Sequence, residues 1–129
     1  MQQQISVLVA EPNFLFREGI KALIGQEAQF VLVGTCENGN DLIERLIECS
    51  PRVLIIDQLG ESFNLELVKK AARLFPALKI LSISSFTYKT DLTKALESGI
   101  ASCLLKECSR EEIVEAIIAT EAGERFLCG

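Results

Sequence analysis

The sequence predicts a doubly wound α/β domain, a parallel sheet with helices on both faces. Two observations carry that prediction. Five short β-prone runs alternate with five segments whose apolar residues recur at helical spacing. The third run, Val53-Leu54-Ile55-Ile56, is apolar at every position, as suits a strand covered on both sides. Parallel strands need right-handed crossovers, and these distribute the helices over both faces. That third run ends in a carboxylate, Asp57, at the strand end where open α/β sheets place their chemistry.

Each element has its own signal. Ile5 to Ala10 is the first strand, and Phe16, Ile20, Leu23 and Ile24 then fall on one helix face. Phe30 to Thr35 is the second strand. The turn Glu37-Asn38-Gly39-Asn40 follows, with Asn40 as the expected cap of a helix carrying Leu42, Ile43, Leu46 and Ile47. Pro51 disfavours helical geometry at Ser50 and ends that helix. Beyond the Val53 strand and a loop, a helix directs Leu65, Val68, Ala72 and Phe75 inward until Pro76. Leu78 to Ser84 is the fourth strand. A weaker helical segment from about Tyr88 to Ser98 stops at Gly99, read as a left-handed cap. Ala101 to Leu105 is the fifth strand. Ser109 and Glu112 form a capping box that opens a last helix, with Ile113, Ala116 and Ile117 on one face and an end near Gly123.

Composition bounds the function. A chain of 129 residues, 49% hydrophobic and 24% charged, suits one compact domain, expected over residues 1–123 with 124–129 as the start of a linker or a tail. No apolar run approaches the ~20 residues of a membrane span. The Met1-Gln2-Gln3-Gln4 start lacks the basic and apolar parts of a signal peptide, so a cytoplasmic location is expected. The absence of histidine excludes histidine-based triads and dyads, histidine metal ligands and an intrinsic phosphohistidine. A net charge of -5 makes this segment a poor binder of nucleic acid. The five cysteines, Cys36, Cys49, Cys103, Cys108 and Cys128, are odd in number and contain no C-x-x-C pair. They are expected to be ordinary apolar thiols, with neither a disulfide framework nor a zinc site. The first turn, Glu11-Pro12-Asn13-Phe14, has no glycine-rich phosphate loop, which speaks against dinucleotide binding, and the chain is not expected to be an enzyme.

The strand ends deliver Glu11, Asp57, Ser84 with Ser85, and Lys106 to one edge. Taken singly, each has an ordinary reading. Asp57 suits a turn or a cap, Glu11 a surface turn, Ser84 a strand end and Lys106 a solvated surface. Together they are what phosphoryl transfer to an aspartate requires. Acids hold Mg²⁺, the metal and lysine offset charge on the phosphoryl oxygens, and the hydroxyl bonds one of them.

The chain resembles the receiver domain of bacterial two-component response regulators, with its chemotaxis-protein-like, flavodoxin-like fold. The resemblance spans essentially the whole chain and rests on Val7-Leu8-Val9-Ala10-Glu11, Val53-Leu54-Ile55-Ile56-Asp57, Ala95-Leu96-Glu97-Ser98-Gly99 and Leu104-Leu105-Lys106. The run Arg17-Glu18-Gly19-Ile20 and the closing Ala122-Gly123-Glu124-Arg125 carry it as well; the Arg-Glu-Gly run, the Leu-Leu-Lys ending and the final helix are most like the NarL/LuxR-type subfamily. The resemblance implies a strand order of 2-1-3-4-5. It makes Asp57 the acceptor of a phosphoryl group from a sensor histidine kinase, Ser84 the hydroxyl that follows that group, and Lys106 its counter-charge. It makes Glu11, Asp57 and the Leu59 carbonyl ligands of Mg²⁺. It also implies transcription regulation through a helix-turn-helix domain outside this chain, the only route to DNA. A homodimer is a further implied partner, and the last helix, with Ala116, Ile117 and Ile118 in a broad apolar band, is a candidate surface for it.

Three departures qualify the resemblance. Pro12 stands where the family has its second acid, so Mg²⁺ binding is expected to be weak. The loop Gln58-Leu59-Gly60-Glu61-Ser62-Phe63-Asn64 lacks the family's Met-Pro-Gly pattern. Cys103 replaces the fifth-strand aromatic of the family's switch, with Phe86 or Tyr88 as the nearest substitutes. Pro12 and Cys103 support an alternative, a phosphorylation-independent dimerisation or protein-interaction module.

Overall fold

The computed structural model describes residues 3–86 and 88–128; residues 1, 2 and 129 of the two expected segments lie outside them. Five strands and five helices alternate: β1 (Ile5–Ala10), α1 (Phe14–Gln26), β2 (Phe30–Cys36), α2 (Leu42–Cys49), β3 (Val53–Ile56), α3 (Leu65–Leu74), β4 (Lys79–Ser84), α4 (Lys89–Glu97), β5 (Ser102–Leu105) and α5 (Arg110–Glu121). All neighbouring strands pair in parallel, in the order β2-β1-β3-β4-β5. Both the doubly wound class and the implied order are therefore present.

The two-residue period of a strand sends alternate side chains to opposite faces, and here both faces are dry. Val7, Val9, Val53, Ile55, Leu81 and Ile83 pack with Ile20 and Ile24 of α1 and Ile113, Ala116 and Ile117 of α5. Leu8, Ala10, Leu54, Ile56 and Ile80 pack on the other side with residues of α2, α3 and α4. Every residue of β3 is buried, which is why that run has no polar alternation. Each large aliphatic side chain so buried contributes about 1.5–3 kcal/mol.

Local chemistry sets the helix ends. Asn13 Oδ1 accepts from Phe16 N at 2.9 Å and Asn64 Oδ1 from Leu67 N at 2.9 Å, starting α1 and α3. The Ser109–Glu112 capping box is complete, with both reciprocal bonds formed. Ser50, ahead of Pro51, takes φ 45° and ends α2; Gly99 takes φ 110° beyond α4 and Gly123 φ 88° beyond α5.

The structure corrects several expectations. Asn40 does not cap a helix: Asn38 Oδ1 accepts from Asn40 N at 3.1 Å and caps a single 3-10 turn, Gly39–Asp41, ahead of α2. An Asx-type bond two residues on competes with the helix for the same backbone donors, and Asn38 wins. In α3, Ala71 is the fully buried alanine and Ala72 only partly so. Ala116 and Ile117 belong to the core, leaving Ile118, 40% exposed, as the one outward residue of the anticipated apolar band. Tyr88 is exposed and Phe86 half-buried beside buried Cys103.

The cysteines depart most. Cys108 and Cys128 form a disulfide, whereas Cys36, Cys49 and Cys103 are free. After α5 the tail runs back along β5: Cys103 N donates to Phe126 O at 3.0 Å and Cys128 N to Cys103 O at 3.2 Å. That return brings residue 128 beside residue 108, a proximity that neither cysteine parity nor spacing encodes. No helix among the described residues is long and apolar enough to cross a membrane.

Gly99 offers a direct test of the packing between α4 and α3. A Cβ added there would lie 2.8 Å from Ala72 Cβ, in a backbone conformation that costs an L-residue about 1–2 kcal/mol by itself. Gly99→Ala should lower unfolding free energy by about 2 kcal/mol or more, read from the urea midpoint at unchanged m-value.

Candidate functional site

The carboxyl ends of β1 and β3 meet at the point where strand order reverses, and the ends of β4 and β5 close the same edge. Asp57 follows β3 directly, its amide donating to Ala10 O at 3.3 Å. Its two carboxylate oxygens are approached separately. Oδ1 accepts from Ser84 Oγ at 2.8 Å and from Leu59 N at 3.1 Å; Oδ2 pairs with Lys106 Nζ at 2.8 Å. Lys106 Nζ also pairs with Glu11 Oε1 at 2.9 Å. The Glu11 side chain is 3% exposed and that of Asp57 13%, so the cluster lies mostly below the surface.

Lys106 is held on a third side by the Phe16 ring, 4.7 Å from Nζ to the centroid, in cation–π range. Burial alone would lower its pKa, but hydrogen bonds and charge from Asp57 and Glu11 outweigh that effect and hold the ammonium above its ordinary range. Two carboxylates against one ammonium leave the cluster with one excess negative charge.

Beneath Asp57 lies a polar layer that sequence reasoning missed. Gln58 is buried, and its Oε1 accepts from Ser82 Oγ at 2.6 Å and lies 3.2 Å from Ser84 Oγ. Each hydroxyl has one proton: the shortest contacts assign that of Ser82 to Gln58 and that of Ser84 to Asp57. The i, i+2 spacing of Ser82 and Ser84 on one strand was a usable signal for this layer. Nothing in the sequence marks Gln58.

The Pro12 turn is organised around Glu11. Asn13 N donates to Glu11 Oε2 at 2.9 Å, while buried Arg17 donates from Nη1 to Glu11 O at 2.8 Å and Pro12 O at 3.3 Å. The other end of that guanidinium pairs with Glu37 at 3.3 Å. Of the five expected site residues, Glu11, Asp57, Ser84 and Lys106 converge by their side chains. Leu59 approaches by its amide, with its side chain 40% exposed.

A divalent cation here would meet a hard, all-oxygen donor set, as Mg²⁺ prefers. Pro12 supplies no carboxylate, and each oxygen of Glu11 and Asp57 already accepts a hydrogen bond or ion pair. The residues fit Mg²⁺ in kind, with fewer anionic ligands than a paired-acid site.

A five-stranded parallel sheet of this order, with an aspartate, hydroxyl and lysine joined at its switch point, defines a signal-receiving α/β domain. The family model described as the response regulator receiver domain matches residues 7–118, and the chain belongs to that family. It is similar to the isolated receiver domain of RcsB from Salmonella enterica serovar Typhimurium, in a structure with the phosphomimetic BeF₃⁻: TM-score 0.87, 25% identity, covering 98% of this chain and 94% of that one. The receiver domain of the putative response regulator NarL from Mycobacterium tuberculosis is similar too, with TM-score 0.87 and 26% identity over 95% of this chain and all of that one. Among curated proteins, the response regulator VraR of Staphylococcus saprophyticus is 28% identical over 93% of this chain and 58% of its own length. The transcriptional regulatory protein DegU of Brevibacillus brevis is 24% identical over 98% and 54%. The chain thus spans little more than half the length of these relatives. The NarL/LuxR-type resemblance read from the sequence is borne out.

The Lys106 cluster makes a pH-dependent prediction. A lysine pKa raised in the folded state stabilises the fold fully below the unfolded value of 10.5, and that contribution is lost as pH rises through the folded pKa. The stability gap between the natural protein and Lys106→Met should therefore be flat from pH 7 to about 10 and shrink above the ordinary lysine range, as measured by denaturant unfolding.

Proposed function

We propose that Asp57 accepts a phosphoryl group from the phosphohistidine of a sensor kinase and that the resulting change is relayed to an output. The observation that carries this reading is the approach of Ser84 Oγ and Lys106 Nζ to different oxygens of Asp57. In the transfer, a carboxylate oxygen of Asp57 attacks phosphorus, the P–N bond breaks and its electron pair stays with the departing imidazole. Lys106 then pairs with a phosphoryl oxygen and Ser84 donates to another. Glu11, released from part of its hold on Lys106, remains available to a cation. Receiver domains use Mg²⁺ for this chemistry; here Glu11, Asp57 and the Leu59 carbonyl would hold it, and it would offset phosphoryl charge.

The relatives' names, transcriptional regulators among them, support an output in transcription control through a helix-turn-helix domain outside this chain. A homodimer suits the same reading, as does a cytoplasmic location, where the kinase's phosphohistidine is available. The chain is a phosphoacceptor and signal relay, with no separate enzymatic activity proposed.

Incubation with a small-molecule phosphodonor and Mg²⁺ should add one phosphoryl group to the natural protein and none to Asp57→Asn, read by intact mass. No adduct at saturating Mg²⁺ would favour the phosphorylation-independent interaction module. Pro12→Asp restores a carboxylate beside Glu11 and should tighten Mg²⁺ binding roughly 10-fold or more, read by titration.

A further inference from the structure

The sulfurs of Cys108 and Cys128 join two parts of the chain that the phosphoacceptor site does not use. Cys108 lies in the turn between β5 and α5, two residues beyond Lys106, and Cys128 lies on the returning tail. We propose that this pair is a redox site, a dithiol that exchanges with low-molecular-weight disulfides and so latches the tail onto β5. The inference goes beyond the receiver reading and holds whether or not Asp57 accepts a phosphoryl group.

Three observations carry it. First, the tail is docked independently of the sulfurs. Besides its two backbone bonds to Cys103, Phe126 N donates to Ser102 Oγ at 2.9 Å and Arg125 Nε to Ala101 O at 3.2 Å. The cysteines are therefore held close in the reduced protein as well. Second, a carboxylate stands beside the bonded pair. Glu112 Oε1 is fixed by Ser109 N at 2.9 Å in the capping box, and its Oε2 lies 2.8 Å from Cys128 Sγ, where it would accept from the Cys128 thiol once the bond is reduced and leave Cys108 as the attacking thiolate. Third, these two cysteines are both partly accessible and adjacent, whereas Cys36 and Cys103 are buried and Cys49, partly accessible, is bonded to no other cysteine and donates to Val33 O at 3.3 Å. Burial pushes the Cys103 thiol up to about 11 and raises that of Cys36, which keeps both out of exchange.

The step balances as ordinary exchange. One cysteine thiolate attacks a sulfur of the small disulfide, forming a mixed disulfide and expelling one small thiolate. The other cysteine attacks the protein sulfur of that mixed disulfide and expels the second. Two cysteine thiols are oxidised, one small disulfide is reduced to two thiols, and the two cysteine protons go to the released thiolates. The bond closes a loop of sequence separation 20 that contains all of α5. It also retains Leu127 against a groove of about 470 Å³ lined by Phe86, Tyr88, Leu92 and Leu105.

The test equilibrates the full chain in buffers of reduced and oxidised glutathione, then alkylates, maps peptides and follows amide exchange. Oxidation should reduce the free thiols from five to three, with a single cross-linked peptide pair carrying Cys108 and Cys128. Exchange of the Cys103 and Cys128 amides should slow at least roughly tenfold in the oxidised protein, because closing such a loop restricts the detached tail. Cys108→Ser and Cys128→Ser should each abolish that difference while matching the reduced natural protein in circular dichroism. The proposal is overturned if no Cys108–Cys128 cross-link forms at any glutathione ratio, or if tail exchange is equal in both states. Stoichiometric Zn²⁺ uptake that blocks oxidation would also overturn it, reassigning Cys108, Glu112 and Cys128 to a metal site.

Discussion

One lysine ammonium has to satisfy two carboxylates that arrive from different strands, and the fold is arranged so that it can. Glu11 follows β1, Asp57 follows β3 and Lys106 follows β5, with β4 between. Their side chains meet only because the strands are parallel and end at nearly the same level. Ala10 is level with Ile56, Ile56 with Ser82, and Ser84 with Leu105. A slip of one residue in any of these pairings would turn a site residue to the opposite face. The two apolar layers that fix the register thus also position the charges.

Pro12 is integrated into this arrangement rather than merely missing an acid. Its ring fixes the backbone and removes a donor, and the turn around it directs Asn13 N onto Glu11 Oε2 and both carbonyls onto Arg17. Glu11 is therefore folded inward, on Lys106, rather than extended toward solvent. The polar layer of Gln58, Ser82 and Ser84 has a similar effect on the hydroxyl, which faces Asp57 before any phosphoryl group is present. In this chain the pocket is assembled in advance, from fewer anionic parts than the family pattern contains.

The order of the elements was legible because strand and helix periods alternate cleanly, and Val53 to Ile56 has no polar residue to confuse the assignment. Glu11, Asp57, Ser84 and Lys106 were legible for a related reason, since a polar residue closing an apolar run must lie at a strand end. What failed to show depends on contacts between distant segments. Gln58 reads as a loop residue until β4 is set beside it. The choice between Asn38 and Asn40 as a cap turns on which side chain reaches a free amide, and only the folded turn shows Asn38 Oδ1 on Asn40 N. The pairing of Cys108 with Cys128 follows from the path of the tail, which has no periodicity to read.

That tail has a further consequence for how the domain behaves in a crowded solution. A sheet of five strands has two outer rims, and unsatisfied amides on a rim are templates for pairing with another chain. On β5 the outward amide and carbonyl of Cys103 are both taken by Phe126 and Cys128. The β2 rim has no such cover among the described residues, and Val31 there is 37% exposed. The seven residues of β2 are thus the place where strand-to-strand aggregation would begin, and a chain whose tail has detached presents a second.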